Sequence, residues 1–83
     1  MTHTTEWKTR IYLFEEEHTT KARVELDTGT TRLTGHGTAR CNPTDVDVPE
    51  IGDELAAARA MEDLGAQLKR LAYGDMEDAG TRP

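Results

Sequence analysis

The sequence predicts an α+β domain: a three-stranded antiparallel meander packed on one long C-terminal helix, in the order β-β-β-α. Three observations predict it. Stretches 6–14 and 20–27 alternate in polarity with a period of two. A third alternating stretch, 31–41, follows the turn signal Thr28-Gly29-Thr30. From about Val48 the apolar residues instead recur in steps of three and four, the period of a helix.

In the first strand, Trp7, Thr9, Ile11 and Leu13 share one face, and Lys8, Arg10, Tyr12 and Phe14 share the other. The charged run 15–19 connects it to the second strand. There Ala22, Val24 and Leu26 oppose Lys21, Arg23 and Glu25. The third strand sets Leu33, Gly35, Gly37, Ala39 and Cys41 against Arg32, Thr34, His36, Thr38 and Arg40. Two glycines on one strand face weaken a strand interior. Either a large neighbour approaches that face closely or the strand bends there.

Asn42-Pro43 stops the strand, because proline cannot donate to a ladder. A helix start is expected at Asp47-Val48-Pro49-Glu50, with Asp47 as cap, Pro49 in the first turn and Glu50 at the capping-box offset. The helix is expected to reach about Tyr73, with Gly74 just past its end. That span is about 36–39 Å long, against about 27 Å for an eight-residue strand. Its apolar residues fall at 51, 55, 58, 61, 64, 68 and 71. Consecutive steps of three swing the stripe around the axis. One sheet does not readily cover both ends of it, so Leu64, Leu68 and Leu71 are expected to meet a second copy of the chain. The domain is expected to span residues 6–73, with 1–5 and 74–83 as frayed termini.

The chain of 83 residues is short enough for one domain with a thin core. It contains a single cysteine, so no internal disulfide can form and a reducing cytoplasm is the simplest setting. No apolar run is long enough to span a membrane, and the first residues show no secretory signal pattern. The net charge of −6 hides an asymmetry. Basic and acidic residues balance through residue 41, and all the excess negative charge follows it. A nucleic-acid-binding domain is usually basic overall, which this chain is not.

The outward sheet face gathers Lys8, Arg10, Lys21, Arg23, Arg32 and Arg40, six of the ten basic residues, with Tyr12, Phe14 and His36 among them. Such a face can be a solvated surface that guards edges, a protein-binding surface or a platform for a phosphate backbone. His36 has no partner at metal-ligand spacing, and His3 and His18 stand apart from it in connecting segments. Cys41 reads as a small hydrophobe at a strand end. The acidic residues around the helix start read as capping and dipole complementation. Gly52 and Gly65 are costly in a helix, and close packing is expected at Gly65. No nucleophile elbow, P-loop, HExxH or CxxC motif is present, so no enzymatic activity, metal, cofactor or small-molecule substrate is expected.

The run Asn42-Pro43-Thr44-Asp45, then Val48-Pro49-Glu50-Ile51-Gly52-Asp53-Glu54-Leu55, Ala58-Arg59-Ala60 and Asp63-Leu64-Gly65 resembles a small actinobacterial family of unknown function described as dsRBD-like. Trp7 and the Gly35-x-Gly37-x-Ala39-Arg40 strand resemble it too. The resemblance covers about residues 6–73. It implies a β-β-β-α core with room for a short C-terminal helix, homodimers, and a part in hypoxia or dormancy. It also implies likeness in shape to ribosome hibernation factors. A true double-stranded-RNA-binding domain has a further N-terminal helix and a basic helix end, whereas this helix begins acidic. Two functions are therefore carried forward. One is a stress-associated protein acting at the ribosome or on its RNA, and the other is a dimeric protein-interaction module with no nucleic-acid contact.

Overall fold

The computed structural model describes residues 2–80. Three strands, β1 (Lys8–Glu16), β2 (Thr19–Asp27) and β3 (Arg32–Arg40), form one antiparallel sheet in the order β1-β2-β3, followed by a single helix, α1 (Pro49–Asp78). This is the expected α+β architecture. Trp7 stands just outside β1. Gly29 makes the β2–β3 turn with φ +91°, and the Asp27 carboxylate accepts from its N–H at 2.8 Å. His18 makes the β1–β2 turn with φ +58°, a conformation few side chains adopt.

The two glycines of β3 are explained by close approach. A β carbon on Gly37 would collide with the Ala56 carbonyl and the Ala60 amide; one on Gly35 would collide with the Ala60 carbonyl and lie 2.9 Å from the Leu64 amide. The helix backbone therefore rests directly on β3. Its contact face consists of small residues: Ala56 and Ala60 are fully buried, with Leu64 a turn further on. Together with Ala22, Val24, Leu26 and Ala39 they make the core, and Leu33 and Leu68 pack against it.

Of the stripe expected at 51, 55, 58, 61, 64, 68 and 71, the first four residues are thus exposed rather than buried. Ile51 is 62% and Leu55 42% exposed, because the helix turns its smallest residues to the glycines. Leu64, expected at a contact between copies, is spent on the chain's own core, and Leu68 packs beside it; Leu71 is exposed. Gly65 faces open space rather than a close neighbour.

Two helix boundaries also differ. Val48 occupies the N-cap position with no side-chain cap, and Asp47 instead accepts a hydrogen bond from the His18 amide at 3.3 Å. The helix does not stop at Tyr73 but continues through Gly74 to Asp78. The cap is Ala79, and Gly80 follows with φ +72°. The segment expected to fray from residue 74 is therefore helical to 78, while residues 81–83 lie outside the described part. At 30 residues the helix is about 45 Å long and overhangs the roughly 30 Å strands.

Candidate functional site

The register fixes the outer face. β1 pairs Lys8↔Asp27, Arg10↔Glu25, Tyr12↔Arg23 and Phe14↔Lys21, and β2 in turn pairs Asp27↔Arg32, Arg23↔His36 and Thr19↔Arg40. All the residues singled out on this face, Lys8, Arg10, Tyr12, Phe14, Lys21, Arg23, Arg32, His36 and Arg40, therefore lie on the side away from the helix. Across the three strands the face carries six basic side chains against Glu16, Glu25 and Asp27, a net of +3 on a chain of −6. The helix side holds the acid.

At the centre of the face the Arg23 guanidinium sits over two rings, 4.9 Å from the Tyr12 centroid and 5.7 Å from that of Phe14. The cross-strand pairing puts these residues side by side, and the attraction of a cation for the ring faces holds them there. Arg23 Nε also lies 3.4 Å from Glu25, in ion-pair range but out of hydrogen-bonding alignment. Arg32 pairs loosely with Asp27 at 3.7 Å. Lys8, Arg10, Lys21 and Arg40 have no ion-pair partner among the described residues. Phe14 is about half exposed, so the centre of the face offers an aromatic–cation surface ringed by free positive charge.

The two sheet edges differ. Along β3, one helix face sends three side chains down to the free backbone. Arg59 Nη1 donates to the Thr38 carbonyl at 2.7 Å, the His36 amide donates to Asp63 at 2.8 Å, and Gln67 Nε2 donates to the Thr34 carbonyl at 2.7 Å. Spacing of i, i+4, i+8 on α1 matches alternate residues of β3, so this edge is closed. β1 has no such cover. The helix lies over β2 and β3, so Ile11 and Leu13 on its inner side remain 41% exposed.

A cluster not anticipated from the sequence sits at the opposite corner of the hairpin. The sequence puts His18 in a connecting segment and Cys41 at a strand end, and the β2–β3 ladder extends to both through a 2.8 Å bond from the Cys41 amide to the His18 carbonyl. Residue pairs across this hairpin sum to 59, so the turn at Thr28-Gly29-Thr30 was the signal that could have matched 18 with 41. Asp47 completes the group. Burial pushes the Cys41 thiol above its ordinary range, and Asp47 and Asp45 add to the shift.

A second acidic contact lies under β1. Glu15 faces Asp53, and its carboxyl is raised. The first cause is the hydrogen bond it shares with Asp53, followed by repulsion from that group, desolvation, and the charges of Asp47 and Glu50. Asp53 Oδ1 is buried without a hydrogen-bond partner among the described residues, so a protonated Glu15 beside it is a candidate donor.

Fold and site together define a small sheet-on-helix domain with a basic aromatic outer face, an acidic helix and one open strand edge. No helix among the described residues is long and apolar enough to cross a membrane. Over residues 5–83 the chain matches, and belongs to, the family described as Rv2632c-like. It is 42% identical over 77 residues to the uncharacterized protein Mb1767 of Mycobacterium bovis, covering 93% of this chain and 82% of that one. It is 38% identical over 73 residues to the uncharacterized protein Rv2632c of Mycobacterium tuberculosis, covering 88% and 78%. A crystal structure of Rv2632c superposes with a TM-score of 0.88 at 34% identity, covering 99% of this chain and 98% of that one. These relatives support a small α+β family of unknown function.

Proposed function

We propose that this chain is a non-catalytic binding module, and that its sheet face docks on a folded polyanion with the chemistry of ribosomal RNA. The carrying observation is the register. It aligns six basic side chains on one face around the Tyr12–Arg23–Phe14 stack, while the acidic helix is turned away. Cations spaced along the strands suit phosphates, and the rings and the guanidinium plane suit unstacked bases. The acidic helix repels the same backbone and orients the chain as it lands. A cytoplasmic role in stress or dormancy, lowering translation at the ribosome, is the setting that the family resemblance suggests for such a module.

The test is binding of the full chain to ribosomes and to fluorescent ribosomal RNA fragments across a salt series. If all six cations reach phosphates, affinity should fall about a thousand-fold or more between 50 and 200 mM salt. Replacing Arg10, Arg23 and Arg40 together should abolish binding without changing the circular dichroism. Salt-independent binding, or binding that survives the triple substitution, would defeat this reading.

A second reading is a homodimeric protein-interaction module, favoured by the contrast between the closed β3 edge and the open β1 edge. β1 is basic at its start (Lys8, Arg10) and acidic at its end (Glu15, Glu16). An antiparallel second copy centred on Tyr12 brings Lys8 opposite Glu16, and Ile11 opposite Leu13. The nine-residue strand is thus complementary to itself in charge at its ends, Lys8 with Glu16, and in apolar side chains at its centre, Ile11 with Leu13.

A further inference from the structure

His18, Cys41 and Asp47 each place a metal-ligating atom within 4.8 Å of the others, on the rim of a cavity of about 260 Å³. Three separate segments deliver them: the β1–β2 turn, the end of β3 and the loop before α1. His18 Nδ1 is buried and has no hydrogen-bond partner among the described residues, which is costly for a ring nitrogen that water cannot reach. The other ring nitrogen, Nε2, lies 3.8 Å from a Glu17 carboxylate oxygen. That is beyond hydrogen-bond range, but it places a carboxylate on the side of the ring from which one orients a metal-binding imidazole.

We infer that His18, Cys41 and Asp47 bind a zinc ion through His18 Nδ1, Cys41 Sγ and an Asp47 carboxylate oxygen, with water in the fourth position. The donor set selects the metal. Thiolate with imidazole suits zinc, whereas calcium and magnesium take oxygen ligands. Bonds of about 2.0–2.3 Å set tetrahedral ligand atoms about 3.3–3.8 Å apart. The separations therefore close by up to about 1.5 Å, a movement that the irregular 42–48 loop can make. On binding, the thiol proton is released to solvent. The weak Sγ contacts to the Asn42 and Val46 carbonyls, at 3.5 and 3.6 Å, give way to the sulfur–metal bond. The ion offsets the negative charge that Asp45 and Asp47 bring to this corner, and it ties the pre-helix loop to the β1–β2 turn. The site lies at the sheet end and on the helix side, so it does not depend on the outer face binding RNA.

The test uses the metal-free full chain titrated with Co²⁺ as a spectroscopic probe and then with Zn²⁺ as competitor. One equivalent should bind, with a thiolate-to-cobalt charge-transfer band that zinc removes, and zinc should raise the melting temperature. Cys41→Ser and His18→Asn should each weaken binding by more than the roughly 100-fold that an outer-shell partner is worth. Asparagine is chosen because it tolerates the left-handed turn, and unchanged circular dichroism confirms folding. No uptake at micromolar Co²⁺, or uptake that survives either substitution, overturns the assignment.

Discussion

Gly37 of β3 lies so close beneath Ala60 of α1 that a side chain at Gly37 decides whether the helix can seat on the sheet. The obstacle to a β carbon at Gly37 is helix backbone, the Ala56 carbonyl and the Ala60 amide, which cannot swing aside as a side-chain tip can. Gly37→Ala should therefore lift the helix off β3 and cost about 2–3 kcal/mol. For a domain of this size that is a fall in melting temperature of roughly 8–24 °C. Thermal unfolding followed by circular dichroism checks it. A fall of under about 3 °C would mean the helix is not seated as described.

The helical Gly65 makes the opposite case. Nothing lies within 4 Å of where its β carbon would be, and its φ is ordinary. Gly65→Ala should stabilise the chain by about 0.5–1 kcal/mol through lost unfolded-state freedom alone. Denaturant midpoints of the two proteins measure it, and a loss of stability would show that this face is in contact with something.

The contrast between these glycines marks how far the sequence can be read. Strand parity was legible because alternation survives any packing arrangement, so every residue placed on the outer face is on it. The glycines of β3 were legible as a sign of either close approach or a bend, and the helix backbone over them decides for close approach. The helix face was not. Two of its three buried residues, Ala56 and Ala60, carry little hydropathy signal, whereas Ile51, Leu55 and Met61 advertise a stripe that stays exposed. Gly74 looked like a stop, yet a single glycine costs a helix only about 1 kcal/mol and this one runs on to Asp78. The meeting of His18 with Cys41 depends on hairpin register, a long-range property that neither residue displays locally.

Glu15 gives the chain a pH-dependent term. Its folded carboxyl is raised, so the folded state holds the shared proton more tightly than the unfolded one. The stabilisation is fully present below the ordinary carboxylate range and is lost as pH rises through the raised folded value. Once Glu15 has lost its proton, it faces Asp53 as a like charge. Glu15→Gln removes one charge and supplies a donor to Asp53 at every pH. The variant should melt higher than the parent near neutrality, and the gap should close as pH falls to the ordinary carboxylate range. A gap independent of pH would show that the pair does not share a proton.

The closure of β3 by α1 predicts a local effect. Asp63 accepts from the His36 amide at 2.8 Å, and Gln67 Nε2 lies 3.4 Å from the same oxygen. Asp63→Ala should lose about 1 kcal/mol and expose the edge amide. Hydrogen exchange at His36 should then accelerate several-fold, while exchange within the β1–β2 ladder changes only as global stability does. Unaltered exchange at His36 would mean that solvent already reaches it.

The open edge makes a prediction about assembly. In an antiparallel sheet, residues that bond to one neighbour alternate with residues that point to the other side. The 2.8 Å bond between Cys41 and His18 sets that alternation across β2 and hence on β1, where Thr9, Ile11, Leu13 and Glu15 turn their backbone groups outward. A second β1 centred on Tyr12 matches these groups as bonded pairs, Ile11 with Leu13 and Thr9 with Glu15. The same centre sets Lys8 opposite Glu16, so the register that satisfies the backbone also satisfies charge. Lysine on an edge strand opposes such pairing, because it must lose either hydration or contact when a partner strand arrives. Leu13→Lys should therefore convert a dimer to a monomer in sedimentation equilibrium at micromolar concentration. It should cost little stability in the monomer, because Leu13 is already 41% exposed there. A parent chain that sediments as a monomer, or a dimer unmoved by Leu13→Lys, would remove β1 as the contact.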